Sequence, residues 1–235
     1  MMTISIIIPT YNEEENIEKL VRFIKENSND SVSDIFVSDG GSQDATLEVA
    51  IRAGARALVS AGKGRSAQMN FGAAQTTGEI LYFIHADCLP PPSFVKDILS
   101  AIQQGYDIGR YRSEFNSSKT LLKINAWFTR FDLFIAMGGD QTLFVKRPLF
   151  EKCGRFDERM NIMEEYDFCN RARAIGKYRI MKGNALISAR KYDTNSWFRV
   201  QWANATIVKM FRRGSSQQQM LDTYKRMLAY RKNAF

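Results

Sequence analysis

Apolar and polar positions along the first hundred residues follow two periods in turn, one typical of strands and one typical of helices. Apolar, often β-branched runs predict strands over residues 3–9, 34–38, 55–60 and 79–84. Apolar residues at three-to-four-residue spacing predict helices over residues 13–25, 44–53 and 65–75. Helices of this length between strands indicate right-handed crossovers. The predicted fold class is therefore α/β, with a mainly parallel central sheet.

The alternation weakens after about residue 106. The same patterns predict strands over 108–115 and 142–146, helices over 119–137, 148–153 and 164–175, and a turn over 138–141. Two amphipathic helices, separated near Gly214, are predicted at the C-terminal end. We divide the chain into one domain over 1–195, with halves at 1–112 and 113–195, and a helical tail over 196–235.

The loops that follow the first four predicted strands carry most of the unusual polar residues. These clusters occupy residues 9–13, 39–44, 62–65 and 85–87. Parallel sheets bind ligands beyond the carboxyl ends of their strands. Because all four clusters fall at that edge, we expect them to form one binding site.

Composition is typical of a folded protein in a reducing compartment. The chain has 235 residues, 45% of them hydrophobic, and no apolar run approaches the roughly 20 residues that span a bilayer. The start has neither a basic leader nor a small-residue cleavage site, so we expect a cytoplasmic protein. The three cysteines lack zinc spacing, and the single histidine excludes a zinc site with two histidine ligands.

Positive charge is concentrated at the C-terminal end. The net charge is +8, and the segment from Trp197 onward holds eight Lys/Arg and one Asp, which gives +7. Such a tail attracts anionic surfaces. We expect it to contact the inner face of a membrane or a second copy of the chain, and we expect no nucleic-acid partner.

Two of the four loops have the composition of a nucleotide pocket. Asp39 precedes Gly40 and Gly41, which let the backbone approach a ligand, and its carboxylate could accept hydrogen bonds from uracil or ribose. The alternative is a turn in which Asp44 caps the next helix. Residues 62–65, Gly-Lys-Gly-Arg, open a predicted helix and form either a phosphate cradle or a plain turn.

His85 and Asp87 follow the fourth predicted strand, where a carboxylate is costly unless something pairs with it. On an extended segment the two side chains share one face. Asp87 offers a hard oxygen ligand to Mg²⁺ or Mn²⁺, and such an ion could hold a diphosphate. For His85 three roles remain open, namely a ligand to Mn²⁺, a hydrogen bond to phosphate, and orientation of Asp87.

Residues 164–167, Glu-Glu-Tyr-Asp, place three acids near a predicted helix start. Acids at this position interact favourably with the helix dipole, but three exceed what capping needs. Carboxylates in a cluster raise one another's pKa, which suits a general base. By contrast, the aromatic residues within 127–134 and 197–202 have helical spacing and are predicted to be core or lipid-facing.

Several segments together resemble family 2 glycosyltransferases of the GT-A fold. They are residues 5–13 (Ser-Ile-Ile-Ile-Pro-Thr-Tyr-Asn-Glu), 37–42 (Val-Ser-Asp-Gly-Gly-Ser) and 154–157 (Gly-Arg-Phe-Asp). Segments 62–70, 83–87, 139–141 and 188–192 resemble a subgroup associated with radical-SAM and selenium-domain proteins, which includes selenosugar and arsenosugar biosynthesis enzymes. The resemblance covers roughly residues 3–192 and implies a Rossmann-like GT-A domain.

The resemblance implies an inverting sugar transfer from a nucleotide-diphospho-sugar, usually UDP-linked, with Mg²⁺ or Mn²⁺. By matched position, the residues implied for nucleotide-sugar binding are Pro9, Tyr11, Glu13, Asp39, Gly40, Lys63, Gly64, Arg65 and Arg190. Asp87 matches the last acid of the Asp-x-Asp metal motif, and His85 stands at the first. Glu165, with Glu164 beside it, matches the catalytic base, although it is one methylene longer than the family's Asp. Asp140 is a rival base or acceptor contact.

Two other functions stay open at this point. A sugar-phosphate nucleotidyltransferase would release diphosphate, but such enzymes favour a Gly-rich basic loop after the first strand, where this chain has Thr-Tyr-Asn-Glu over 10–13. A non-catalytic module would bind a sugar nucleotide or a membrane without turnover. The Gln-x-x-Arg-Trp motif of processive transferases is not visible, which leaves a small or lipid-linked acceptor.

Overall fold

The computed structural model of the protein describes residues 2–132 and 142–229. Its strands are β1 (Ile4–Thr10), β2 (Val32–Asp39), β3 (Arg56–Val59), β4 (Ile80–Phe83), β5 (Cys88–Leu89), β6 (Ile108–Phe115), β7 (Leu143–Lys146) and β8 (Tyr178–Ile187). Its helices are α1 (Glu14–Glu26), α2 (Thr46–Ala53), α3 (Arg65–Ala74), α4 (Phe94–Gln103), α5 (Thr120–Phe128), α6 (Arg147–Lys152), α7 (Glu164–Arg173), α8 (Lys191–Thr194), α9 (Trp197–Arg212) and α10 (Gln217–Met227). Within these residues, the eight strands form a sheet in the order β3-β2-β1-β4-β7-β6-β8-β5.

The first four strands lie side by side and parallel, as the strand–helix alternation predicts. In this register Ile7 of β1 pairs with Phe36 of β2 and with Phe83 of β4. β1 is buried along its whole length, which explains why its sequence is mostly apolar rather than alternating. The carboxyl ends of these strands meet at one edge of the sheet, so the predicted grouping of the four polar loops is confirmed.

The other half of the sheet is mixed. β7 pairs antiparallel with β4 and β6, β5 pairs antiparallel with β8, and β6 pairs parallel with β8. The sequence patterns do not predict β5, which has two residues, or β8, whose partly exposed residues blur the period of two. The sheet is mostly parallel, as predicted, with antiparallel pairs confined to this half.

Two apolar cores lie on the two faces of the sheet. Ile6 and Ile8 of β1 pack with residues of α1, α2 and α4 on one face. Ile7, between them in the chain, points to the other face and packs with α3, α6 and α7. Ile207 of α9 and Met220 of α10 belong to this second core. The two tail helices therefore pack on the body of the protein.

The bounds of α5 and α2 differ from the predicted ones in ways that local hydrogen bonds accompany. α5 ends at Phe128, where the Thr129 hydroxyl donates a hydrogen bond to the Ala126 carbonyl (2.7 Å). Residues 129–132 were predicted to be helical but are not. The rest of the predicted helix, residues 133–137, lies outside the described residues. α2 begins at Thr46, two residues later than predicted, because Asp44 accepts the Thr46 N–H (3.0 Å) before the helix starts.

The two predicted tail helices are confirmed, with their break at residues 213–216. Ser196 and Ser216 accept N–H hydrogen bonds at the starts of α9 and α10, and Gly214 has a φ of +72° between them. Among the described residues, no helix has the length and apolar character needed to cross a bilayer.

Candidate active site

A side-chain amide fixes the ends of β1 and β2 at the carboxyl edge of the sheet. Gln68 of α3 donates hydrogen bonds to the carbonyl oxygens of Thr10 (2.6 Å) and Ser38 (3.1 Å). A Cβ at Gly40 would lie 2.7 Å from Gln68 Nε2, so the glycine is needed for this close approach. The sequence analysis missed Gln68, although it lies in the segment 62–70 that resembles the subgroup.

Asp39 shapes the second loop from inside. It is 1% exposed, and its carboxylate accepts hydrogen bonds from the N–H groups of Gly41 and Ser42 (2.8 Å each) and from the Thr10 hydroxyl (3.2 Å). These contacts form the turn that the sequence analysis offered as the alternative, although the N-cap of α2 is Ala45 rather than Asp44. Contact of Asp39 with uracil or ribose remains an expectation from the resemblance.

The loop after β1 contacts the loop after β2. The Asn12 N–H donates to Ser42 Oγ (2.8 Å), and Asn12 has a φ of +52°, which asparagine tolerates better than most residues. Pro9 is buried in β1 opposite Ser38, whereas Tyr11 is only half-buried. Of these two residues implied for nucleotide-sugar binding, Tyr11 is thus the more accessible.

Arg190 joins the first loop to the fourth. Its guanidinium donates to the two carboxylate oxygens of Glu13 at 2.9 and 2.5 Å, and its Nη2 lies 3.0 Å from Asp87 Oδ2. This two-bond pairing of a guanidinium with a carboxylate is both strong and directional. The Ser188 N–H donates to the Asp87 carbonyl (3.1 Å), which holds the segment after β8 beside the fourth loop. The sequence analysis expected Arg190 near the donor but did not predict its pairing with Glu13.

His85 contacts the predicted base. Its Nε2 lies 3.1 Å from Glu165 Oε1, and both side chains are largely buried. Burial raises the pKa of the Glu165 carboxyl above its ordinary value, while the neighbouring His85 acts in the opposite direction. A carboxyl with a raised pKa is suited to accept a proton near neutral pH. The sequence analysis left three roles open for His85, and its contact with Glu165 adds a fourth, orientation of Glu165.

Glu164 pairs with the third loop. Its Oε1 lies 2.9 Å from Arg65 Nε, and the Glu164 side chain is almost fully buried at the start of α7. Its second oxygen, Oε2, has no hydrogen-bond partner within residues 2–132 and 142–229. The acidic cluster is therefore split, with Glu164 facing Arg65 and Glu165 facing His85.

The third loop has the form of a helix entry. Gly64 has a φ of +95°, α3 begins at Arg65, and Lys63 is exposed. A Cβ at Gly62 would lie 2.6 Å from the Ala67 Cβ, so this glycine also permits close packing. The arrangement is compatible with either expectation, the phosphate cradle or the plain turn.

The metal implied by the resemblance depends on Asp87. In the described part of the chain, no three His, Cys, Asp or Glu side chains are grouped so that they could hold an ion by themselves. Mg²⁺ is often held by one or two carboxylates together with substrate phosphates. Asp87, partly exposed at the mouth of the site, fits that donor set, with the diphosphate supplying the remaining oxygens. Metal ligation by His85 is untested by this arrangement.

One predicted catalytic residue lies outside the described residues. Asp140, the rival base, belongs to residues 133–141, as do the neighbouring glycines and Gln141 that the subgroup resemblance marks. Its role as base or acceptor contact stays a prediction.

Comparison with known proteins then gives the family. The sequence model described as "Glycosyl transferase family 2" matches residues 5–156, which is more than half of the chain. The chain belongs to glycosyl transferase family 2. The resemblance to family 2 found in the sequence is confirmed. The match does not show the finer assignment to the selenosugar and arsenosugar subgroup.

Two relatives within the family illustrate the sequence similarity. The dolichol-phosphate mannosyltransferase of Pyrococcus furiosus is 33% identical over 112 residues, which cover 46% of this chain and 32% of the relative. The glucosyl-3-phosphoglycerate synthase of Mycobacterium tuberculosis is 30% identical over 158 residues, 63% of this chain and 47% of the relative. The chain thus matches less than half of the length of these family 2 relatives.

Two solved structures share the fold. The mannosyltransferase PcManGT from Pyrobaculum calidifontis, in complex with GDP-Man and Mn²⁺, has a TM-score of 0.67 at 16% identity and covers 95% of this chain and 69% of that one. The M. tuberculosis glucosyl-3-phosphoglycerate synthase, in complex with Mn²⁺, UDP and phosphoglyceric acid, has a TM-score of 0.60 at 19% identity and covers 96% and 78%. At these identities the likeness shows the fold alone, and it confirms the predicted GT-A type.

Proposed function

We propose that the protein is a glycosyltransferase that moves a sugar from a nucleotide-diphospho-sugar to an acceptor with inversion, assisted by Mg²⁺ or Mn²⁺. One observation carries the proposal, namely that Asp87 with Arg190 and His85 with Glu165 flank a single short loop at the carboxyl edge of the sheet. Groups for a leaving diphosphate and for an incoming acceptor are thereby adjacent, as a single displacement requires.

The cations of the site are suited to bind the diphosphate of the donor. Lys63 and Arg65 follow β3, and Arg190 follows β8, at the same edge of the sheet. Their positive charge offsets the charge that builds on the departing diphosphate, which lowers the barrier. A divalent ion held by Asp87 and the diphosphate oxygens would add Lewis-acid stabilisation of that leaving group. Arg190 also holds Asp87 in place through the Glu13 pair.

Glu165 would act on the acceptor. As the acceptor oxygen forms its bond to the anomeric carbon, the bond from that carbon to the diphosphate breaks and Glu165 takes the hydroxyl proton. The raised pKa of Glu165 and its contact with His85 suit this role. An acceptor that is already an anion, such as the selenophosphate suggested by the subgroup resemblance, would need no base.

The relatives support the donor class rather than a particular sugar. The two structural neighbours are complexes with GDP-Man or with UDP, each together with Mn²⁺. The two sequence relatives are named for mannosyl and glucosyl transfer. We take a UDP-linked donor as the first choice and a GDP-linked donor as the second.

A binding and product experiment tests the proposal. Calorimetry of the full chain with UDP and with GDP, each with and without Mn²⁺, identifies the nucleotide, and mass spectrometry with the matching nucleotide sugars identifies product. Release of the nucleoside diphosphate supports a glycosyltransferase. Release of inorganic diphosphate from a nucleoside triphosphate and a sugar phosphate would instead indicate a nucleotidyltransferase. Nucleotide binding with neither transfer nor donor hydrolysis would indicate a non-catalytic module.

A further inference from the structure

Helix α9 has a second apolar face that no other part of the described chain covers. Its inner face packs into the protein through Val200, Ala203 and Ile207. On the outer face Phe198 and Trp202, one helical turn apart, are 70% and 71% exposed. Together with the neighbouring Ala205 they line a shallow cleft of about 610 Å³. Neighbouring aromatic side chains at this exposure mark an interaction surface rather than ordinary scatter.

Helix α5 repeats this arrangement. Leu122 is buried in the same small core as Val200 of α9. The outer face of α5 exposes Leu121, Ile124 and Phe128. At spacings of three and four residues, these three side chains form one stripe along the helix.

The two outer faces border each other. The Tyr192 hydroxyl lies 3.3 Å from Asn125 Nδ2 of α5 and 3.2 Å from Gln201 Nε2 of α9, so the helices lie side by side at this point. On each helix the bridging amide lies, by helical spacing, between the buried face and the exposed apolar stripe. The two stripes therefore form one surface, which we call the α5–α9 surface and which consists of Leu121, Ile124, Phe128, Phe198 and Trp202.

The segments that carry this surface are basic. Residues 116–131 contain three Lys/Arg and no acid, and residues 197–213 contain four Lys/Arg and no acid. Lys123 of α5, Lys209 of α9 and Arg213, the residue after α9, are exposed. Arg130 also stacks on the exposed Trp127, with its Cζ 5.3 Å from the ring centroid. An apolar, aromatic centre is thus combined with cations, and neither of these two segments itself contains an acid.

We propose that the α5–α9 surface docks on an anionic lipid bilayer. Tryptophan and phenylalanine side chains partition into the bilayer interface, and lysine and arginine around them bind lipid phosphates. A second copy of the chain is a poorer occupant, because a symmetric contact would bring two basic segments against each other. This docking is independent of the transfer chemistry proposed above.

Vesicle sedimentation of the full chain tests the proposal. We expect binding to phosphatidylcholine vesicles that contain about one third phosphatidylglycerol, and little binding to phosphatidylcholine alone. The double variant Phe198→Ser/Trp202→Ser should bind the anionic vesicles about tenfold more weakly or worse. Lys209→Glu/Arg213→Glu should do the same. The matched controls Ile51→Ser, at an exposed apolar residue of α2, and Lys19→Glu, at an exposed cation of α1, should bind like the wild type.

Two further measurements distinguish docking on a bilayer from contact with a second copy of the chain. Brominated lipids should quench tryptophan fluorescence of the wild type and much less that of Trp202→Phe. Light scattering should show no self-association that depends on Phe198 and Trp202. Equal binding to neutral and anionic vesicles, full binding by the double variant, or a dimer that the double variant abolishes would each overturn the proposal. Circular dichroism should show that the substitutions at these exposed residues leave the fold intact.

Discussion

His85 Nε2 lies 3.1 Å from Glu165 Oε1, which connects the end of β4 to the start of α7. The two residues are 80 positions apart in the chain, and each comes from a segment that the sequence singled out separately. Their contact links the expected metal loop to the expected base. A substitution at either residue should therefore affect the other.

Glu165→Gln should remove the base and keep the shape of the site. The amide can still hydrogen-bond His85, so we expect an unchanged melting temperature. With a neutral hydroxyl acceptor, kcat should fall by about 10² to 10⁴, because general-base catalysis contributes that much. Steady-state kinetics with the identified donor measures this, and Glu48→Gln, at an exposed residue of α2, is the control. A loss of only a few-fold would reject the base role.

His85 variants should separate orientation from metal ligation. His85→Phe removes the hydrogen bond to Glu165, whereas His85→Gln keeps a donor. If His85 orients Glu165, kcat falls in the Phe variant and recovers in part in the Gln variant, while the Mn²⁺ dissociation constant changes less than about twofold. Calorimetric Mn²⁺ titration in the presence of the nucleoside diphosphate provides this constant. A rise of about tenfold or more in both variants would make His85 a metal ligand.

Arg190→Lys should weaken donor binding. Lysine keeps the charge but cannot make the two-bond pairing with Glu13 and still reach Asp87. We expect the KM for the nucleotide sugar to rise about tenfold, since Asp87 loses the partner that holds it. Arg159→Lys is a suitable control, because Arg159 forms an exposed pair with Asp157. An unchanged donor KM in the Arg190 variant would place Arg190 outside the donor site.

Much of the fold follows from local sequence signals. β1 to β4 and the three helices between them are predictable because each strand is a short apolar run and each helix has its own apolar face. β8 is not, because its outward residues Lys182 and Asn184 break the apolar pattern. Its place in the sheet is set by pairing with β6, which is distant in sequence. Pairing between strands that are distant in sequence produces no hydrophobic periodicity from which the pairing could be predicted.

The site follows the same division. The loops and their chemistry are predictable, since polar residues at the ends of parallel strands must meet at one edge. Which side chains pair is not predictable. The contacts of Arg190 with Glu13 and of Glu164 with Arg65 join residues more than 90 positions apart. Asp39, whose contact with a ligand stays a prediction, also holds its own loop by accepting the N–H groups of Gly41 and Ser42.

Acid should destabilise the protein in part through Asp107, which holds β6, β7 and β8 together. Its carboxylate accepts hydrogen bonds from Lys146 Nζ (2.8 Å) and from the Lys177 N–H (2.9 Å). Burial alone would raise the pKa of Asp107, but these two contacts outweigh it and lower the pKa below the ordinary 3.8. The folded state thus binds a proton at Asp107 less readily than the unfolded chain does.

The sign of the effect follows from that difference. Stabilisation by Asp107 is complete above the ordinary pKa of 3.8 and is lost as pH falls through the lower folded-state pKa. Asp107→Asn should therefore reduce the free energy of unfolding by about 1 kcal/mol at pH 7, and the difference from wild type should shrink below about pH 4. Urea titrations across this range measure it, with the exposed Asp30→Asn as the control. A difference that stays constant from pH 7 to pH 3 would mean that Asp107 stabilises the sheet through packing rather than through its charge.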